Sequence, residues 1–315
     1  MTTPITIEEA ETLLNLKGSD IYTLLNRAHK VRLENRPPTV NLCGIVNAKS
    51  GMCTEDCKFC AQSAHNDVKV ECYKLLDSTT IAVKAKESSL NKASRFGIVT
   101  SGHRVDEGSE LLEISSAIKK IRDDNEIMPC ASLGNISKET LLKLKESGLT
   151  RYHCNLETAQ SFYPQICTTR PWSESVETVK TAKEIGLAVC SGGLFGLGES
   201  AKQRVELLEA IRELDVDSVP LNFFYPVEGT KIDIEKPLSP LECLKIVAVA
   251  RLMLPEKEIR VCGGREFNFG DLQSWILISG ADGMMVGGYL TTRGRAVEDD
   301  LKMIKDAGFE VSIGH

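Results

Sequence analysis

Eight short β-like runs, separated by longer stretches of helical patterning, constrain this chain more than anything else in it. The runs cover 40–46, 95–100, 127–132, 150–156, 187–192, 217–222, 259–263 and 283–287. Helical patterning fills 107–124, 137–147, 173–185, 201–214, 240–254, 269–279 and 297–307, and Gly148, Gly186, Gly280 and Gly308 stand where helices stop. Alternating strands and helices are the pattern of a parallel α/β fold, and eight such units predict a closed (β/α)8 TIM-type barrel. An open doubly wound sheet is the alternative. Residues 5–35 read as two further helices, the first opening at Thr6-Ile7-Glu8-Glu9 and the second carrying Ile21, Leu24, Leu25, Ala28 and Val31 at helical spacing. The chain is expected to form one domain over 1–315, with a helical cap at 1–38 and the barrel at 39–315.

At 315 residues the chain is long enough for such a barrel. Its net charge of −6 argues against a nucleic-acid or anionic-membrane surface, and no apolar run reaches the length of a membrane span. The first residues are acidic and carry no apolar signal core. Eleven cysteines is a high and odd number, which with no export signal points to reduced thiols and metal in the cytoplasm rather than disulfides.

Three of those cysteines, Cys53, Cys57 and Cys60, stand at C-x3-C-x2-C spacing directly after the first strand. Thiolates are the soft ligands that iron–sulfur clusters need, and one loop with this spacing can hold three corners of a [4Fe–4S] cubane. The fourth iron is then left for a small molecule. Zinc competes, but a closed structural zinc site wants four protein ligands and no fourth Cys or His stands near in sequence. Chance clustering competes as well. Four further cysteines, Cys43, Cys130, Cys190 and Cys262, sit late in the expected strands. In the first strand Val40, Leu42 and Val46 alternate with Cys43, so Cys43 is expected to point into the barrel, as are Cys130 and Cys190. Each alone reads as a small buried hydrophobe; together they suggest a second metal site. The glycines at 192, 193, 196 and 198 lack the dinucleotide-binding order.

The run Cys53-Thr-Glu-Asp-Cys-Lys-Phe-Cys-Ala-Gln-Ser-Ala64, with Phe59 inside the last gap, resembles the radical S-adenosylmethionine (SAM) superfamily and, within it, the biotin synthases. Matching segments run from about residue 10 to 310. The resemblance implies sulfur insertion converting dethiobiotin to biotin, with a [4Fe–4S] cluster on Cys53, Cys57 and Cys60, SAM, and sulfur from an auxiliary iron–sulfur cluster. It places Phe59, Glu157 and Arg170 at SAM, with Glu157 toward the ribose and Arg170 toward the carboxylate. It places Asn155 and Asn222 at the substrate's ureido ring, and Cys130, Cys190 and Arg265 at the auxiliary cluster.

This chain departs from the pattern at Gly97, where the family's remaining auxiliary cysteine belongs, and at His153 and Glu157, where the family has asparagine and aspartate. Cys43 is expected to supply the missing thiolate, with Cys262 as its rival, and a four-iron cluster on three cysteines would suit that set. His65 and His103 read as local hydrogen-bonders. A reducing partner such as flavodoxin or ferredoxin and a homodimer are family expectations. Related barrels that mature hydrogenase or form methylornithine are the alternative, and a non-catalytic iron–sulfur carrier is another.

Overall fold

The computed structural model describes residues 2–124, 126–234, 236–291 and 294–312. Two helices come first, α1 (Ile7–Leu14) and α2 (Asp20–Asn35), and Thr6 caps α1 by accepting the Glu9 N–H. The barrel follows in the order β1 (Thr39–Lys49), α3 (Ser78–Leu90), β2 (Arg95–Thr100), α4 (Ser109–Asp124), β3 (Met128–Ser132), α5 (Lys138–Glu146), β4 (Arg151–His153), α6 (Trp172–Glu184) and β5 (Ala188–Cys190). It continues through β6 (Gly193–Phe195), α7 (Ala201–Glu213), β7 (Ser218–Phe223), α8 (Pro240–Met253), β8 (Glu258–Val261), α9 (Arg265–Phe269), α10 (Trp275–Ile278), β9 (Gly283–Met285), α11 (Val297–Asp306) and β10 (Glu310–Val311).

All the strand pairings are parallel. β1 pairs with β2 on one side and β9 on the other, so the sheet closes on itself. β5 and β6 both pair with β7 and share one stave, which makes eight staves and excludes the open sheet. Each expected strand is present, its ends within three residues of the expected ones. The helix expected over 269–279 is broken: α9 stops at Gly270, whose φ of 49° cannot continue a helix, and a 3-10 turn, Gly270–Leu272, precedes α10. β10 lies beside Thr39 and Val40 at the N-terminal end of the barrel.

The side chains sort as period-two alternation requires. Val40, Leu42 and Val46 join the core between sheet and helices, while Cys43 and Ile45 line the interior. α1 and α2 pack on α8, which is buried from Cys243 to Met253 because it is covered by the barrel on one face and by those helices on the other.

Candidate active site

The loop after β1 turns at Gly51 (φ 76°) and Met52 (φ 52°) and then carries the three cysteines. Gly51 cannot be another residue without disturbance, because an added Cβ would sit 2.3 Å from Sγ of Cys72. The loop is stapled to itself. Cys53 N–H donates to the Gln62 carbonyl (3.0 Å), Ala64 N–H to the Cys53 carbonyl (2.8 Å), and the Asn66 amide to the carbonyls of Cys57 (3.1 Å) and Cys60 (2.9 Å). Such ties occupy the loop's carbonyls and fix its backbone. Cys60 feels the charge of Cys53, and Cys57 that of Cys60. Burial raises the Cys60 thiol to about 11, so iron binding rather than solvent would have to draw its proton off.

Behind the loop lies a charged network. Glu55, buried, accepts from His103 Nδ1 (2.8 Å) and from the Thr169 hydroxyl (2.7 Å) and stands 3.7 Å from Arg170 Nε. His65 Nε2 lies 3.0 Å from the Thr54 carbonyl oxygen, so both histidines bond locally. Burial opposes the charge of Arg170, but Tyr163, Cys57 and Glu157 around it outweigh that and hold it more firmly protonated than usual. Its Nε has no hydrogen-bond partner though buried, so it has a donor to offer an acceptor such as a carboxylate. Arg170 does not line the central cavity; Phe59, Cys60 and Glu157 do.

That cavity, of 390 Å³, occupies the barrel's interior. β4 and its continuation read it out like a ladder: Arg151, His153, Asn155 and Glu157, every second residue, all line it. Glu157 sits in the left-handed region (φ 65°), and burial raises its carboxyl against the pull of Arg170 and His153. Asn155 accepts the Gly192 N–H at 3.2 Å and lines the cavity, where its side chain also bonds to the Glu157 carboxyl. Asn222 is likewise committed, accepting from Gly263 N–H (2.9 Å) and donating to the Gly193 carbonyl (3.2 Å), with one N–H to spare.

Lower down, Cys43, Cys130 and Cys190 from three strands and Cys262, the residue after β8, face this one space, and Gly97, in register with Cys130, faces it without a side chain. Cys43 has both Cys130 and Cys190 among its electrostatic neighbours, whereas Cys262 has Cys43 and Cys190. Burial raises the thiols of Cys43, Cys190 and Cys262, and the guanidinium groups of Arg260 or Arg151 work against it. His153, in register with Cys190, is pushed down to about 4 by burial and by Arg260 and Arg151, despite Glu157, so its ring is neutral.

The arginine of this ring is not Arg265. Its two terminal nitrogens grip Asp300 (2.9 and 2.6 Å), one also reaches Gln273 (2.8 Å), and the pair is buried between α9 and α11, away from the cavity. Arg260 on β8 lines the cavity beside the thiols instead, two residues after Glu258 and two before Cys262. Alternation from Cys262 back along β8 was the signal for it; the Gly-Gly-Arg-Glu motif led elsewhere. Arg260 and Arg151 both bind Glu258 (2.5 and 3.0 Å), yet each keeps a buried Nε with no partner. Soft thiols with spare cationic donors beside them suit an anionic iron–sulfur cluster. The loop triad suits one as well. Among the described residues no three His, Cys, Asp or Glu side chains converge on one metal-ion position.

Comparison with known proteins agrees with this geometry. The model for the radical SAM superfamily matches residues 49–211, and that for the Biotin and Thiamin Synthesis associated domain matches 220–310. The chain is 49% identical over 308 residues to biotin synthase of Geotalea daltonii, covering 98% of this chain and 94% of that protein. It is 51% identical over 304 residues to biotin synthase of Geobacter sulfurreducens, covering 96% and 92%. In fold it resembles the crystal structure of methylornithine synthase, with a TM-score of 0.86 at 21% identity over 98% of this chain and 95% of that one. The extent of the identity, and its run through both halves of the barrel, decide the matter: the chain is a radical SAM protein and belongs to the biotin synthase family.

Proposed function

We propose that the chain converts dethiobiotin to biotin by inserting sulfur, with Cys53, Cys57 and Cys60 holding a [4Fe–4S] cluster and Cys43, Cys130 and Cys190 an auxiliary cluster of four irons. The observation that carries this is the shared cavity, which has the cluster loop at one end and a ring of thiols at the other. When bound, the first cluster and SAM supply radical chemistry and the auxiliary cluster supplies sulfur.

The protein's own residues hold, orient and exclude. Arg170 offers a fork of donors to the SAM carboxylate, and Glu157 two acceptors to a ribose diol. Asn155 and Asn222 present amide groups that match a cyclic urea, which both donates and accepts. Their height between Glu157 and the thiols would hold the carbon chain of dethiobiotin between SAM and the sulfur source. Arg260 and Arg151 balance the charge of the thiol ring. We read 1–315 as one domain, a flavodoxin or ferredoxin as electron source, and a homodimer as the working form.

The test is anaerobic reconstitution with iron and sulfide, then incubation with SAM, dithionite and dethiobiotin. Both 5′-deoxyadenosine and biotin are expected. Deoxyadenosine without biotin would point to a methylornithine- or hydrogenase-type substrate, and neither product to a carrier. Iron content in Cys43→Ser against Cys262→Ser decides the third auxiliary ligand: loss of the second cluster is expected in Cys43→Ser.

A further inference from the structure

Glu55 stands in the middle of the cluster loop, two residues from Cys53 and two from Cys57, yet it lines no part of the central cavity. It is buried, and a carboxylate hidden from water needs partners. Its Oε1 faces His103 Nδ1 at 2.8 Å. Its Oε2 accepts the Thr169 hydroxyl at 2.7 Å and stands 3.7 Å from Arg170 Nε. The backbone around it is fixed as well. The Glu55 carbonyl accepts from Ser63 Oγ at 2.5 Å. Asp56 N–H reaches Thr169 Oγ1 at 3.1 Å, the Asp56 carboxylate receives the N–H groups of Thr168 (2.8 Å) and Thr169 (3.2 Å), and Lys58 N–H donates to the Ile166 carbonyl at 2.9 Å. The cluster loop is thus stitched to the segment that leads into Arg170.

The first turn of α6 holds Arg170 from its other side. A terminal nitrogen of Arg170 donates to Ser175 Oγ at 3.4 Å, and that hydroxyl donates to Asn135 Oδ1 at 3.4 Å. His103 closes the circuit, because its Nε2 lies 3.5 Å from the carboxylate of Glu174, the residue before Ser175. What these contacts leave free matters as much as what they hold. Each Glu55 oxygen already has a closer donor, so Glu55 meets Arg170 as a counter-charge and not as a hydrogen-bond acceptor. The counter-charge offsets the burial of the guanidinium, while the buried Nε keeps its N–H without a partner. A guanidinium held in place with a donor to spare is preorganised for a further carboxylate.

We propose that Glu55 is a positioning residue for SAM: from inside the cluster loop it fixes Thr169 and the guanidinium of Arg170, so that the loop that holds the iron also builds the site for the SAM carboxylate. The proposal rests on the reading of Arg170 as the contact to that carboxylate.

The experiment is equilibrium dialysis of radiolabelled SAM against the full-length, anaerobically reconstituted protein, with iron counted in the same samples. Glu55→Gln keeps an acceptor for Thr169 and loses the charge. It is expected to hold wild-type iron while its Kd for SAM rises about tenfold, the scale on which removing a partner that orients a contacting residue is felt. Glu55→Asp, which keeps the charge on a shorter arm, recovers part of the loss. Because Glu55 acts through the arginine, Glu55→Gln combined with Arg170→Ala is expected to bind SAM no more weakly than Arg170→Ala alone. Wild-type affinity in Glu55→Gln overturns the proposal, and so do losses that add in the double variant. If Glu55→Gln loses iron, Glu55→Asp takes its place in the same measurements; loss of iron in both also overturns it. Arg170→Ala is the separate control: unchanged SAM affinity there would remove the reading of Arg170 itself, whatever Glu55 does.

Discussion

Glu258 is a carboxylate buried between two guanidinium groups, 2.5 Å from Arg260 and 3.0 Å from Arg151. Burial alone would raise its pKa, but the two arginines win and hold it well below the usual carboxylate range. A depressed folded-state pKa gives stability that is present above the unfolded value of about 4.5 and lost as pH falls toward the folded one. Denaturant unfolding of the wild type is therefore expected to weaken steeply below that pH, and Glu258→Gln to flatten this acid limb while costing about 3 kcal/mol near pH 7, since it leaves two buried cations less well paired. Arg265 tests the opposite assignment. With Asp300 buried and gripped by both of its nitrogens, Arg265→Ala is expected to cost about 3–5 kcal/mol and to leave iron per folded molecule unchanged. A lost auxiliary cluster in a variant that still folds would return Arg265 to the site. The sequence made Cys43, Cys130 and Cys190 legible because alternation fixes the side of a strand a residue faces. It left the choice between Arg260 and Arg265 to a short motif, and the left-handed turn at Gly264 starts α9 and carries Arg265 away from β8.

Among elements, the cluster loop shows how far local pattern reaches. Its cysteine spacing was readable directly, as were all eight staves, because apolar runs bounded by turn residues are local properties. The stitch between residues 56–58 and 166–169 was not, since it joins two irregular segments more than a hundred positions apart through backbone and Asp56, and neither carries a periodic signature. Gly51 is the hinge on which the loop leaves β1. Gly51→Ala is expected to cost about 1–2 kcal/mol from the left-handed backbone alone, and more because the new Cβ meets Cys72. Substituting Cys72→Ala as well relieves the collision but not the backbone, so the double variant is expected to recover part of the stability. Iron content and thermal unfolding of the two variants check this; equal behaviour of both would place the whole cost in the backbone.

At the scale of the whole molecule, closure is what neither half can supply. The segment matched as radical SAM ends before β7, and β1 finds its second neighbour only in β9, beyond residue 280. Expressed alone, residues 1–211 are expected to show no cooperative unfolding transition, because five staves would leave two raw sheet edges and an uncovered interior face. A sharp transition in that fragment would show two independent domains. The cap helices were legible from their spacing as a cap beside the barrel, but not that α8 is the helix they pack on. The vertical order inside the barrel has a further consequence. The floor, filled by Arg95, Arg151 and Glu258, divides the cavity from a depression on the opposite face, and the thiol ring lies beneath the heights assigned to substrate and SAM. On the proposed assignment, the compound that draws on the sulfur store would also be the stopper above it. Restocking and withdrawal would then share a doorway and have to take turns, so the pace of repeated cycles would be set by how soon the product leaves.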